Sequence, residues 1–274
     1  MSDPKRKAEK AEKEAAKQAA IDFIKKDLPK FQEWPKIGRL NRDIIITEKI
    51  DGTNAAIGIL EIKVDRPAIE GVREAFVESY WKVYAQSRTR IITTLDDNAG
   101  FAQWVERNSQ VLIDTLGPGL HFGEWWGVGI QRGYDLSERR FSLFNTAKWT
   151  KPEEAAKLEQ ARKDGVAIYT VPVLYNGPWT GILGYIDGTQ PLDEKDTTLP
   201  WLKLDADQKW PEVEGSENPR PRFASNFIME WLKRIGSQAA PGFMQPEGIV
   251  VYHRGSDALF KATVENDEKH KFEV

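Results

Sequence analysis

The chain has 274 residues, 40% of them hydrophobic and 30% charged, which is enough for one large domain or two small ones around a proper core. It has no cysteine and three scattered histidines, His121, His253 and His270, so disulfides, thiolate zinc sites and thiol nucleophiles are excluded and little remains for a histidine metal centre. The net charge of −3, from 39 basic and 42 acidic residues, argues against a general nucleic-acid coat protein, although nine Lys/Arg against six Asp/Glu in residues 1–30 and nine acidic residues against three lysines in 187–217 leave a balanced remainder in which a basic groove has room.

Residues 1–30 read as a charged, Ala-rich helix with interleaved Lys and Glu, closing on Ile21, Phe23, Ile24 and Leu28 before Pro29. This is expected to be a helical extension, docked by its apolar end or serving as a basic arm, followed by a main domain over 31–274. The charged N-terminus has no apolar segment of a secretion signal, and no run approaches the roughly 20 apolar residues of a membrane helix, so a soluble intracellular protein is expected. From Ile44 the pattern turns to short β runs: Ile44–Lys49, Ala55–Val64, Tyr80–Arg88, Leu120–Trp125, Arg140–Ala147, Val171–Tyr175, Gly248–His253 and Ala258–Val264. Helical spacing occupies about 97–115, 152–163 and 224–237. Strands outnumber helices without strict alternation, which predicts an α+β class with antiparallel pairing. Residues 176–222, rich in Pro, Gly and Asp, read as a loop-dominated insertion.

The stretch TEKIDGTN, Thr47–Asn54, is the most informative. A β run stops at Lys49, an Asp-Gly pair follows, and a second β run begins. The spacing predicts a hairpin in which Gly52 supplies a positive φ. That accounts for Asp51 and Gly52 but not for a lysine at the inner end of an apolar strand, where an ammonium is costly unless paired or deprotonated. A lysine held in that way can act as a nucleophile.

The segment around Lys49 resembles motif I of the covalent nucleotidyltransferase superfamily of polynucleotide ligases and capping enzymes, and TEKIDGTN is closest to its RNA-ligase-2-like branch, which Asn54 marks. Further motifs follow in order. Ser87-Arg88-Thr89 resembles motif Ia, Phe122-Gly123-Glu124-Trp125 motif III, Phe141-Ser142-Leu143-Phe144-Asn145 motif IIIa, Glu247-Gly248-Ile249-Val250-Val251-Tyr252 motif IV and Leu259-Phe260-Lys261-Ala262-Thr263 motif V. The resemblance implies a nucleotidyltransferase domain of two antiparallel sheets flanked by helices, with ATP and Mg²⁺ or Mn²⁺ as cofactors. It also implies an ATP-dependent RNA ligase that seals 3′-hydroxyl and 5′-phosphate ends, with RNA or an RNA-containing nicked duplex as partner.

Attack on an α-phosphate needs cations that offset the phosphoryl charge, which assigns Lys261 beside the nucleophile Lys49. Two convergent carboxylates, Glu124 and Glu247, suit a divalent ion or ribose hydroxyls; the resemblance implies Glu124 on the ribose and Glu247 near the metal and the lysine. Phe141 and Phe144 are candidates to stack on the base. They point to opposite sides of a strand, so only one can line the pocket, and the motif favours Phe144. Glu48 is expected to border the base, Asp51 and Gly52 to shape the turn, Asn54 to orient a phosphate or nucleic-acid end, and Arg88 to add a cation.

Three departures from the family pattern stand out. Thr263 replaces a second motif V lysine, leaving Arg254, Lys269 and Lys271 as candidate sources of the missing charge. Asn145 replaces the usual motif IIIa aspartate. No C-terminal OB domain of the ligase and capping-enzyme kind follows Thr263 in this sequence, leaving substrate grip to the catalytic domain, the N-terminal helix or an accessory protein. A capping-type guanylyltransferase and a non-catalytic nucleic-acid end-binding protein are the alternative readings.

Overall fold

A computed structural model describes residues 4–26, 33–66, 76–179 and 224–265. Residues 1–37 and 38–274 are two separate units. In the first, helix α1 (Pro4–Lys25) is exposed along almost all of its described length, as its Lys/Glu/Ala composition dictates. Among the described residues no helix is long and apolar enough to cross a membrane.

The second unit contains two sheets. Strands β1 (Asp43–Lys49), β8 (Val173–Pro178), β9 (Gly248–His253) and β10 (Ala258–Thr263) form a four-stranded antiparallel sheet in the order β10-β9-β1-β8. Strands β2 (Thr53–Arg66), β3 (Phe76–Ser87), β4 (Ile91–Ile92), β5 (Gly119–Gly127), β6 (Arg139–Leu143) and β7 (Ile168–Thr170) form a six-stranded sheet in the order β4-β3-β2-β5-β6-β7. The class is α+β. One pair, β6 with β7, is parallel, because helix α5 (Pro152–Lys163) carries the chain back across the sheet. That helix starts at Pro152, carries Glu153 and Glu154 in its first turn and ends on Arg162 and Lys163, so its termini complement the helix dipole.

Each sheet buries its outer face. Ala55, Ile57, Ile59, Trp125, Phe141 and Leu143 of the larger sheet pack against helices α2 (Phe101–Arg107), α3 (Ser109–Leu116) and α5. Ile44, Ile46, Ile249 and Val251 of the smaller sheet pack against Ile228, Trp231 and Leu232, which recur at helical spacing on helix α6 (Ala224–Ile235). A third cluster, Ile50, Trp126, Tyr134, Val171, Ala240 and Phe243, lies where the sheets meet. The inner faces turn toward one another across a cleft.

Several elements differ from the sequence expectation. Strands β1 and β2 do not pair, so TEKIDGTN is a crossover from one sheet to the other and not a hairpin. Gly52 is needed for close approach: a Cβ there would meet the Trp125 carbonyl oxygen at 2.5 Å and Trp126 Cβ at 2.8 Å, and its φ is not positive. The helix expected over 97–115 is two helices that break at Asn108. The run expected as strand 140–147 ends at Leu143, because the Asn145 side chain accepts a hydrogen bond from the Lys148 N–H at 3.1 Å and starts a single-turn helix, α4 (Thr146–Trp149). The run expected at 171–175 starts later, at Val173, as β8, and it is preceded by a short strand that was not expected, β7, which belongs to the other sheet. Residues 180–222 of the expected insertion, and the acidic 187–217 segment with it, lie outside the described residues.

Candidate active site

Strand alternation puts Lys49 and Glu48 on opposite faces of β1. Lys49 faces the cleft and forms an ion pair with Glu247 Oε1, the side chains being 24% and 16% exposed. Glu48 points the other way, to the loop that follows α6. Its Oε1 accepts the Ser237 hydroxyl at 2.5 Å and its Oε2 accepts the N–H groups of Gln238 at 2.7 Å and Ala239 at 2.8 Å. Burial raises the Glu48 carboxyl above its ordinary value, and these three bonds oppose the shift. Both Glu48 oxygens are engaged by the protein, so the residue expected to border the base instead anchors the 237–239 loop to the strand that carries Lys49.

Cross-strand register places the remaining cations. Lys49 lies opposite Gly248, which lies opposite Thr263, and the adjacent row on the same face is Thr47, Val250 and Lys261. Lys49 and Lys261 therefore project from one face, one row apart. Thr263 shares that face, and its hydroxyl donates to the Glu265 carbonyl at 2.8 Å. Arg254 does not supply the missing charge: its N–H bonds the Asp43 carbonyl at the far end of β1, about 20 Å from Lys49 at strand spacing, and its guanidinium donates to Asn176. Lys269 and Lys271 lie outside the described residues.

The six-stranded sheet supplies the opposite wall. Asn54 lies directly across from Glu124, which lies across from Ser142, so Asn54 and Glu124 share the cleft face. The Glu124 carboxyl is pushed up to about 7, chiefly by burial and further by Glu247 and Asp51, while Lys49 and the Gly52 N–H pull it down. Lys49, Glu124, Glu247 and Asp51 thus form one electrostatic cluster. Two residues along β5, Phe122 projects from the same face as Glu124, and the Phe144 N–H bonds its carbonyl at 3.0 Å. Phe144 is 39% exposed and, with Phe122, Asn145 and Lys148, lines a cavity of about 440 Å³. Phe141 is fully buried, its ring centroid 5.2 Å from that of Phe101, and belongs to the core, not to a ligand surface. Arg88 is exposed just beyond the end of β3 and, among the described residues, has no hydrogen-bond or ion-pair partner.

The donors suit a hard divalent cation that arrives with a phosphate. Glu247 Oε2 is buried with no hydrogen-bond partner, an oxygen left available beside Lys49. Among the described residues no group of three or more His, Asp or Glu could enclose a metal unaided. Mg²⁺ and Mn²⁺ fit such a place because they take oxygen ligands, commonly one or two carboxylates with the remainder from phosphate and water.

Two residues that sequence reasoning missed complete the site. Arg132 Nε donates to Asp51 Oδ2 at 3.0 Å, and the Asp51 N–H donates to the Tyr134 hydroxyl at 2.7 Å. Tyr134 is buried against Trp126 and Phe243, and burial raises its hydroxyl above the ordinary tyrosine value. The Gly-rich string GVGIQRGYD was the one available signal, marking a turn but not its partners.

The profile of the RNA ligase family matches residues 42–263. The chain is similar to solved structures of a Naegleria gruberi RNA ligase. One variant with ATP and Mn is 16% identical with a TM-score of 0.38, over 81% of this chain and 48% of that one. A second with ATP and Mn is 16% identical with a TM-score of 0.40, over 89% and 60%. A third, with AMP and Mn, is 16% identical with a TM-score of 0.39, over 86% and 57%. The chain thus spans about half the length of these solved relatives. No curated protein matches it.

Proposed function

The chain belongs to the RNA ligase family, and on that premise we propose that it is an ATP-dependent RNA ligase acting through a lysyl-AMP intermediate on Lys49. The observation that carries this reading is the Lys49 cluster: a strand-end lysine paired with Glu247, with Glu124 on the opposite wall and Lys261 one row away on the same face.

In the first step Lys49 Nζ gives up a proton, for which Glu247 is the carboxylate in contact, and attacks the α-phosphate of ATP. The N–P bond forms as the bond to the β-phosphate oxygen breaks and pyrophosphate leaves. Lys261 offsets charge on the phosphoryl oxygens. Glu247 and Glu124 are the residues that would hold Mg²⁺ or Mn²⁺, with Glu124 also the ribose ligand that the resemblance implies and Asn54, directly across from it, placed to orient a phosphate or nucleic-acid end. When bound, that ion neutralises developing charge on the phosphates. Phe144 offers the exposed aromatic face for the base. The AMP then passes to an RNA 5′-phosphate, freeing Lys49, and a 3′-hydroxyl attacks the activated phosphate, releasing AMP and forming the phosphodiester.

Intact mass after incubation with ATP and Mg²⁺ tests the reading. A gain of one AMP is expected for the wild-type chain, none for Lys49→Ala and none with GTP in place of ATP. An unmodified wild-type chain contradicts it, and modification by GTP alone favours a capping-type transfer.

A further inference from the structure

The turn that follows Lys49 is gripped from one loop. Between β5 and β6 the backbone enters the left-handed region at Gln131 (φ 46°), Gly133 (67°), Tyr134 (57°) and Asp135 (54°), three of them non-glycine residues for which this conformation is strained. Strain of this kind persists only where surrounding contacts over-determine it. Here those contacts converge on Asp51, two residues past Lys49: Tyr134 holds its backbone N–H and Arg132 holds its carboxylate. The same guanidinium donates through Nη1 to the Gln245 carbonyl at 3.3 Å and lies 3.8 Å through Nη2 from Glu265. Gln245 is two residues before Glu247, and Glu265 is two residues after Thr263. One side chain thus touches the nucleophile's turn, the approach to its carboxylate partner and the exit of β10.

We propose that Arg132 is a positioning residue, which by engaging Asp51, Gln245 and Glu265 together sets Lys49 against Glu247 and keeps the Asp51 carboxylate away from the lysine. This deepens the ligase reading and rests on it for its catalytic consequence. Glu124, Glu247 and Asp51 surround one lysine, and a polyanionic nucleotide must approach them. An Asp51 carboxylate released from Arg132 would be free to compete with Glu247 for Lys49 and so hold the lysine away from the line of attack. Three acceptors lying in different directions require the forked donors of a guanidinium. A lysine would supply the charge but a single donor centre.

The test measures two things on the full chain. The first is the rate of lysyl-AMP formation against ATP concentration for wild type, Arg132→Ala, Arg132→Lys, Asp51→Ala and the double variant. Arg132→Ala should lower the rate at saturating ATP at least about tenfold while the half-saturating ATP concentration moves less than about threefold. Arg132→Lys should fall between it and wild type, and in the Asp51→Ala background loss of Arg132 should change the rate less than about twofold. The second is amide hydrogen exchange of the peptide containing residues 46–54, which Arg132→Ala should accelerate at least about tenfold whether or not the chain adenylylates. Unchanged exchange overturns the inference, as does a rate in Arg132→Ala above half of wild type, or losses that multiply in the double variant. A wild-type chain that takes no AMP while Arg132→Ala still speeds exchange overturns the ligase reading and leaves the clamp standing.

Discussion

On the inner face of the four-stranded sheet two lysines, Lys49 and Lys261, project among Thr47, Val250 and Thr263, whereas the facing six-stranded sheet offers a carboxylate, an amide and an aromatic ring in Glu124, Asn54 and Phe122, with Phe144 just past the end of β6. Neither wall could carry the proposed reaction alone. In that reaction the first supplies the attacking nitrogen, positive charge and, just before β9, the Glu247 carboxylate, and the other supplies the second carboxylate and groups for a sugar and a base. The joint between them is short, Ile50 to Gly52, and it is held by a close glycine contact on β5 and by Arg132 and Tyr134 on Asp51. The contrast teaches that Lys49 stands at a joint: its strand sets its row and face, while the crossover that follows it packs against the other sheet.

The sharpest way to test this division is at the end of β6. Phe141 lies within the strand and in the core, and Phe144, just past its end, is exposed on the wall of a cavity. Phe141→Ala should destabilise the protein by about 3–5 kcal/mol, the usual result of emptying a packed aromatic site. Phe144→Ala should shift the unfolding midpoint little and instead raise the ATP concentration needed for adduct formation. Equal stability losses in the two variants, read from denaturant titrations, would erase the distinction between core and wall.

Gly52→Ala strikes the joint itself. The added methyl would sit 2.5 Å from the Trp125 carbonyl oxygen and 2.9 Å from Glu124 Cγ, so the crossover must lift off β5. A loss of about 1–3 kcal/mol is expected, together with slower lysyl-AMP formation. An adduct rate equal to wild type would show that the contact between the walls at Gly52 does not govern Lys49.

Glu124 provides a pH signature. Its folded-state value, about 7, lies above the ordinary 4.5, so between those limits the folded chain keeps a proton that the unfolded chain has released. The stability linked to this group is fully present below about pH 4.5 and is lost as pH rises through about 7. Glu124→Gln removes the ionisation, so this variant should melt above wild type at pH 8, with the gap closing toward pH 4.5. Melting curves that stay parallel across the range would contradict the burial of this carboxylate. Smallest of all, Asn145→Asp should leave stability within about 0.5 kcal/mol of wild type, because Asn and Asp are comparable helix N-caps. A larger loss by thermal melting would mean that Asn145 does more than start helix α4.

Much of the fold was legible because period and punctuation agreed. A β-rich run placed β9 at Gly248–His253, and apolar residues at three- and four-residue spacing placed α5 at 152–163. The crossover was not legible, since an Asp-Gly pair between two β runs reads the same whether the strands pair or part into different sheets; only tertiary contact separates the two. The short β7 was hidden because three residues carry no period, and its parallel partner is set by the helix that precedes it. At the candidate site, Lys49, Glu124, Glu247 and Lys261 were named from their motif positions, and Phe141 and Phe144 were expected to face different ways; the first is buried and the second exposed, although β6 ends between them at Leu143. Glu48 shows the limit of that reasoning: its position beside Lys49 says nothing of the backbone N–H groups 190 and 191 residues away that engage it. Arg132 was illegible for the same reason, as its partner Asp51 is 81 residues distant and its loop turns left-handed without glycine at every such position.

The most direct test of the central claim, that both walls converge on Lys49 as the nucleophile, is to map the attached AMP. After incubation with α-labelled ATP and Mg²⁺, the label should be found in the single peptide that contains Lys49, bound as an acid-labile phosphoramidate, and pyrophosphate should discharge it. Label on Lys261 or any other residue, or no label on a folded chain, would contradict the account.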